Sequence, residues 1–187
     1  MRIALAILPL LAACGDKSDS AADSADPGAT VTWSEAFDTS AAGSLSGVWG
    51  TGPDDVFIVG GTEAQGEVYH FDGTEWSAMA VPEGQGLLVW AYGFGPDDVY
   101  AVGVNGAMVH YDGSAWTAIE TGTDADLWGV WGTAADSLWI VGGDPDTDNC
   151  GDGEAEDEQT CLWSFDGTAL TPYALNKKEN DRGASSM

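Results

Sequence analysis

A chain of 187 residues, 44% hydrophobic and 10% aromatic, carries enough apolar material for one domain of ordinary size and is not a wholly disordered polymer. Its charge is one-sided: 31 acidic residues face 5 basic ones, a formal −26, and from Ser18 to Leu175 there is no Lys or Arg at all. A body without cations cannot neutralise phosphates, which argues against nucleic acid and anionic lipid headgroups as partners and leaves solubility, or attraction of cations such as Ca²⁺, as uses for the charge.

The chain opens with "MRIALAILPLLAACGD": one cation at Arg2, an apolar run from Ile3 to Leu11, then small residues before Cys14. The run is too short to span a bilayer as a mature helix and fits a secretory signal. "LAAC" resembles the lipobox of bacterial lipoproteins. That resemblance implies a signal peptide over 1–13 and acylation of the Cys14 sulfur; an ordinary signal peptide with an incidental cysteine is the other reading. Several acyl chains on one cysteine would hold the protein at a membrane surface, where a single chain is marginal. In that family an Asp after the cysteine often marks inner-membrane retention. Gly15 stands there instead, so the expected location is the cell envelope, on the outer membrane or cell surface.

Residues 15–30, "GDKSDSAADSADPGAT", contain no large apolar side chain and cannot offset their own ordering entropy. They read as a disordered tether, with an end-to-end distance of about 20 Å.

From residue 31 to 175 the text repeats itself. Trp49, Trp90 and Trp131 are spaced 41 residues apart, and four pieces recur around them. The first is a short segment containing the tryptophan ("GVWG", "LVWAYG", "GVWG"), which leads into a turn, "GPDD" at 52–55 and 95–98, where Pro presets the backbone and Asp caps it. The second ("VFIVG", "VYAVG", "LWIVG") is β-branched and aromatic with almost no polar alternation, as a strand covered on both faces requires. The third ("VYHFDG", "MVHYDG", "LWSFDG") ends in Asp-Gly, which favours a two-residue hairpin turn with positive φ at both central positions. The fourth ("TEWSAM", "SAWTAI", "TALTPY") alternates and should be more exposed. Four antiparallel strands in about 40 residues describe a β-propeller blade.

"DVFIVGG" followed by "VYHFDGTEWSAM" resembles a kelch-type repeat, and "DGTEW" and "DGSAW" resemble the Asp-box of neuraminidase-like propellers with a contracted spacing. The expected fold class is therefore all-β: a β-propeller-type array of about three four-stranded blades (about 45–84, 86–124 and 127–175), incomplete or open, behind the tether. The third copy departs from the others, with Leu170 in place of Trp76 and Trp116 and Ser164 in place of His70 and His110. Three blades do not close a ring that ordinarily needs four to eight. The last residues, 176–187, turn basic and read as a disordered tail, so the chain is expected to be a shortened propeller whose open edge is available to other chains.

Residues 142–163 lengthen the third repeat. Gly60 and Asp72 are 12 apart, whereas Gly142 and Asp166 are 24 apart. Cys150 and Cys161 bracket this insertion, and in an exported protein such a pair is expected to form a disulfide; a metal or redox pair is the alternative, though the spacing matches no zinc or Cys-x-x-Cys pattern. Asp144, Asp146, Asp148 and Asp152 fall at positions 1, 3, 5 and 9 of a calcium loop. Asn149 at the usual glycine position and Ala155 at the usual glutamate position break that pattern, so a solvated acidic loop stands beside a Ca²⁺ site as its reading.

No catalytic constellation stands out. His70 and His110 occupy matching repeat positions, as packing or turn geometry would produce, and Asp54-Asp55 and Asp97-Asp98 lie in a repeated turn. A neuraminidase-like activity would need an arginine cluster that the body lacks. Trp49, Trp90, Trp131 and Trp139 are expected in the blade core, and Trp76 and Trp116 are the candidates for stacking on sugars. The expected function is a lipid-anchored extracytoplasmic binding or scaffold module for protein or glycan ligands, with no cofactor apart from the candidate calcium; a piece of a secreted hydrolase or lyase acting on carbohydrate is the alternative.

Overall fold

The computed structural model describes residues 34–143 and 161–173, and its larger compact unit begins at Phe37. These residues form twelve strands in three four-stranded antiparallel sheets, each made of consecutive strands in sequence order. The first holds β1 (Ser44–Gly52), β2 (Asp55–Thr62), β3 (Gln65–Phe71) and β4 (Trp76–Met79). The second holds β5 (Leu88–Gly95), β6 (Asp98–Gly103), β7 (Met108–Tyr111) and β8 (Trp116–Ala118). The third holds β9 (Leu127–Ala134), β10 (Ser137–Gly142), β11 (Leu162–Phe165) and β12 (Leu170–Pro172). The chain is all-β as expected, and the sheets are consistent with propeller-like blades, here numbered 1 to 3. Consecutive blades meet mainly through their first strands, β1 against β5 and β5 against β9.

Local chemistry sets each turn. Gly52 pairs with Asp55 and Gly95 with Asp98, so Pro53-Asp54 and Pro96-Asp97 are two-residue connections. Neither has positive φ, and a register shift beside each one, at Gly50/Gly52 and Gly93/Gly95, reconciles the turn with the strand twist. Asn105 and Gly106 do take positive φ, 55° and 68°, and the Ala107 N–H closes the turn on the Val104 carbonyl at 3.1 Å.

The Asp-Gly turns differ from the two-residue hairpin expected of them. Only the glycine has positive φ, 88° at Gly73 and 87° at Gly113 and Gly167, and four residues separate β3 from β4. The aspartate acts through its side chain instead. Asp72 Oδ1 accepts the Thr74 and Glu75 N–H groups at 2.8 and 2.9 Å, and Asp112 and Asp166 repeat the arrangement.

The core lies between blades. Phe57, Val59 and Val68 of blade 1 pack on Val99, Ala101 and Trp116 of blade 2; Tyr100, Val102 and Met108 of blade 2 pack on Leu138, Ile140 and Trp163 of blade 3. Along β6 the alternation is complete, with Val99 and Ala101 turned to one neighbour and Tyr100 and Val102 to the other. Full burial of such side chains stabilises the fold by roughly 1.5–3 kcal/mol each. The doubly covered second strand read from sequence is therefore found in β6 alone. In β2 and β10 one face is buried and the other half-exposed or exposed, because among the described residues only one neighbouring sheet packs on each.

The register corrects the tryptophan period. Trp49 pairs with Phe57 and Trp131 with Trp139, but in blade 2 it is Tyr92 that pairs with Tyr100, while Trp90 occupies the position of Gly47 and Gly129. The aromatic column is thus Trp49, Tyr92, Trp131. Of the tryptophans expected in the core only Trp49 packs against it, partly buried; Trp131 is 57% exposed, and Trp90 and Trp139 are exposed too, whereas Trp116 is only 4% exposed. Trp116 faces blade 1 and donates its indole N–H to Met79 Sδ at 3.4 Å. Trp131 and Trp139 lie on the face of blade 3 turned away from blade 2, where among the described residues no further sheet covers them and Tyr173 packs edge-on against Trp139 at 5.0 Å.

Candidate functional site

The two ends of the blades carry different chemistry. At the end holding the β1–β2 and β3–β4 turns, His70 Nε2 lies 2.7 Å from Asp55 Oδ1 and His110 Nε2 lies 2.8 Å from Asp98 Oδ1. Each imidazole also stacks on the aromatic residue of the second strand, Phe57 at 4.2 Å and Tyr100 at 4.3 Å between ring centres. The pair fastens the start of the second strand to the third. Blade 3 replaces both partners together, with Ser137 at the aspartate position and Ser164 at the histidine position.

Burial pushes the Asp55 carboxyl up, but hydrogen bonds from the Thr51 hydroxyl and His70 outweigh it and hold the group below its ordinary value. The first aspartate of each doublet does something else. A side chain on Gly73 would meet Asp54 Cβ at 2.9 Å and one on Gly113 would meet Asp97 Cβ at 2.8 Å, so neighbouring turns pack on each other there. Asp112 is drawn down to about 2 by the Ser114 hydroxyl first and by the Ala115 and Ser114 N–H groups. Burial first, then the charges of Asp98 and Asp136, push Tyr100 up to about 12. The carboxylates read as turn formers from sequence are engaged in turn geometry.

The opposite end is formed by the loops β4–β5, β6–β7 and β8–β9. They enclose a cleft of about 260 Å³ lined by Gln85, Asn105, Gly106, Ile119, Thr121 and Asp124, among others. Thr121 Oγ1 bonds to the carbonyls of Gly106 and Thr123 at 2.9 and 3.2 Å, fastening two of these loops together. Gln85 Oε1 is buried, and among the described residues it has no hydrogen-bond partner. A buried acceptor of this kind is stabilised when a donor reaches it. No Lys or Arg lies between Ser18 and Leu175, so the lining offers amides, hydroxyls, acidic groups and backbone but no cationic side chain.

The insertion of the third repeat leaves the fold at this same end. Its two flanks are tied together: the Gly142 N–H donates to the Cys161 carbonyl at 3.1 Å, and the Gly143 N–H donates to the Asp126 carbonyl at 2.8 Å. Asp126 Oδ1 in turn accepts the Asn105 N–H at 2.9 Å, which links the base of the insertion to the cleft loop. Trp128, 42% exposed, donates its indole N–H to the Gly143 carbonyl at 2.7 Å. Its ring is therefore fixed beside Gly143.

Cys14, Cys150, Asp144, Asp146, Asp148 and Asp152 lie outside the described residues. Cys161 precedes β11 and packs partly buried against the blade 2–blade 3 core. Among the described residues no group of three or more His, Cys, Asp or Glu is placed to hold a metal ion, and no helix is long and apolar enough to cross a membrane. Of the tryptophans singled out for sugar stacking, Trp116 is buried between blades and Trp76 is stacked under Phe37 at 4.9 Å. Sequence reasoning missed Gln85 and Trp128. The Asn-Gly at 105–106 was the one legible signal at this end, since it marks a tight turn.

No protein-family model and no curated protein sequence matches this chain.

Proposed function

We propose that the protein is a lipid-anchored extracytoplasmic binding module, held at the cell envelope through Cys14, whose ligand site is the cleft end of the blades with the acidic insertion beside it. The observation that carries this reading is a polar cleft built from three loops, with Gln85 in its lining. A polar cleft of amides, hydroxyls and carboxylates without cations suits a neutral ligand that both donates and accepts, and a glycan presents many hydroxyl groups in a small volume. Trp128 supplies the aromatic face on which a pyranose ring stacks. The resemblance to lipoproteins and to kelch-like and Asp-box-like propellers agrees with a surface-displayed module.

The Cys150–Cys161 disulfide belongs to the same reading. It would close the insertion at its base, where Gly142 and Cys161 already share a hydrogen bond. The acidic run Asp144, Asp146, Asp148 and Asp152 lies within the segment so closed, as a solvated loop or as a Ca²⁺ site.

A glycan array probed with the purified full chain tests the proposal. Binding to one neutral glycan class, lost in Gln85→Leu and weakened in Trp128→Ala with unchanged melting, is expected. Binding that survives both substitutions would move the ligand elsewhere on the surface. Metabolic labelling with a clickable fatty acid tests the anchor: label is expected on the native chain and none on Cys14→Ser.

A further inference from the structure

The side of blade 3 turned away from blade 2 collects four of the eight large hydrophobic side chains exposed among the described residues: Trp131, Trp139, Val141 and Tyr173. Strand pairing puts them side by side. Trp131 of β9 is paired with Trp139 of β10; two residues further along β10, Val141 is paired with Leu162 of β11, whose carbonyl accepts the Tyr173 N–H at 2.8 Å. The Tyr173 ring lies edge-on to Trp139 with 5.0 Å between centres. That contact reaches across β11, so the chain leaves β12 with its first side chain already on this face.

Blade 1 shows how the molecule treats the equivalent face on its other side. Tyr69 and Trp76 are turned away from blade 2 there, and the segment that precedes β1 lies against them. Phe37 stacks on Trp76 at 4.9 Å and leans on Tyr69 at 5.2 Å, and the Gly43 N–H donates to Glu67 Oε2 at 3.1 Å. A stretch of chain outside the strands thus covers aromatic side chains that no described sheet covers.

Residues 174–187 lie outside the described residues, but their sequence differs from all that precedes them. Lys177, Lys178 and Arg182 are three of the chain's five basic residues, and no other Lys or Arg occurs after Lys17. A Lys or Arg above an aromatic face is attracted by the ring quadrupole, most strongly above Trp. Lysine also lays its methylenes along apolar surface while its ammonium group stays in water. Reach permits the contact. Three strand spacings separate β12 from β9, about 14 Å. Lys178 follows Tyr173 by five residues, which span up to about 17 Å before the side chain is added.

We infer that the basic segment from Lys177 to Arg182 docks in cis on this face of blade 3, with a lysine ammonium group over the Trp131 indole and the chain lying across Trp139. It serves blade 3 as the Phe37 segment serves blade 1, with a cation in place of the ring. Charge favours this occupant, since the rest of the body is acidic and offers the three cations no competitor of their own sign. The inference does not depend on which ligand the cleft takes.

NMR of the full chain tests it. Side-chain methylene protons of Lys177 or Lys178 should be shifted upfield by an indole ring and show NOEs to Trp131. Trp131→Leu, a change at a largely exposed position, should return the lysine signals towards those of an unstructured peptide. Lys177→Gln combined with Lys178→Gln should move the Trp131 indole signals and leave those of buried Trp116 and Trp163 in place, which also shows that the fold is kept. A mixture of isotope-labelled and unlabelled chain should give no filtered NOE between copies. Lysine signals at unstructured positions in the native chain overturn the inference. So do upfield shifts unchanged by Trp131→Leu, and so do filtered NOEs in the mixture, which would make a second copy the occupant.

Discussion

The phenol of Tyr92 donates a hydrogen bond of 3.0 Å to the carbonyl of Gly132, crossing from the first strand of blade 2 to the first strand of blade 3. Gly132 is buried, so that carbonyl has no water to fall back on. Tyr92→Phe keeps the ring and removes the donor. It should destabilise the protein by about 1–2 kcal/mol, the cost of an unsatisfied buried acceptor together with the lost bond. Urea unfolding measures this, and a midpoint unchanged from wild type would show that the carbonyl finds another donor.

Asp112 should be the most acidic of the three turn aspartates. Its carboxylate accepts the Ser114 hydroxyl at 2.6 Å besides two backbone N–H groups, and it is drawn down to about 2. Because the folded value is depressed, its contribution to stability is fully present above the unfolded carboxylate range and disappears as pH falls through about 2. Carboxyl-detected NMR should show Asp112 titrating below Asp72 and Asp166. Ser114→Ala should raise it towards those two, and an unmoved value would assign the depression to the backbone donors alone.

Gly113 and Gly84 separate strain from crowding. Both have positive φ, 87° and 82°, but a Cβ on Gly113 would meet Asp97 at 2.8 Å while one on Gly84 would meet nothing within 4 Å. Gly84→Ala carries the backbone cost alone, about 1 kcal/mol; Gly113→Ala adds a collision with the neighbouring turn and should cost clearly more. Thermal unfolding of the two variants ranks them. Equal melting temperatures would show that the Asp97 turn moves aside freely.

The strand order was legible because each repeat writes its own punctuation: Pro-Asp, or Ala-Asp in the third copy, between the first two strands, Asp-Gly after the third, and an apolar run between. What misled was the counting of tryptophans. Trp90 sits 41 residues from both Trp49 and Trp131, yet the "GPDD" turns are 43 residues apart, and backbone pairing follows the turns. Burial was legible only for blade 2. Phe57, Tyr100 and Trp139 are the same position in three repeats, and a single sequence cannot tell which of them has a neighbour to lie against. The cleft was illegible for a related reason. Gln85, Asn105 and Thr121 come from three separate connections, each unremarkable as text, and only the packing of blades brings them to one end.

Asp55 and His70 offer a test of how much the polar clamp adds to aromatic packing. His70 is held twice, by Asp55 at 2.7 Å and by stacking on Phe57, and blade 3 shows that Ser at both positions is compatible with the same strand pairing. In a cycle of Asp55→Ser, His70→Ser and the double variant, each single change leaves the other partner without its bond. The double variant should therefore lose less than the sum, with a coupling of about 0.5–1.5 kcal/mol at neutral pH. Since hydrogen bonding holds the Asp55 carboxyl below its ordinary value, the coupling should shrink as acid protonates that group. Additive single changes at neutral pH would mean that stacking on Phe57 alone fixes the imidazole and that Asp55 serves only the turn with Thr51.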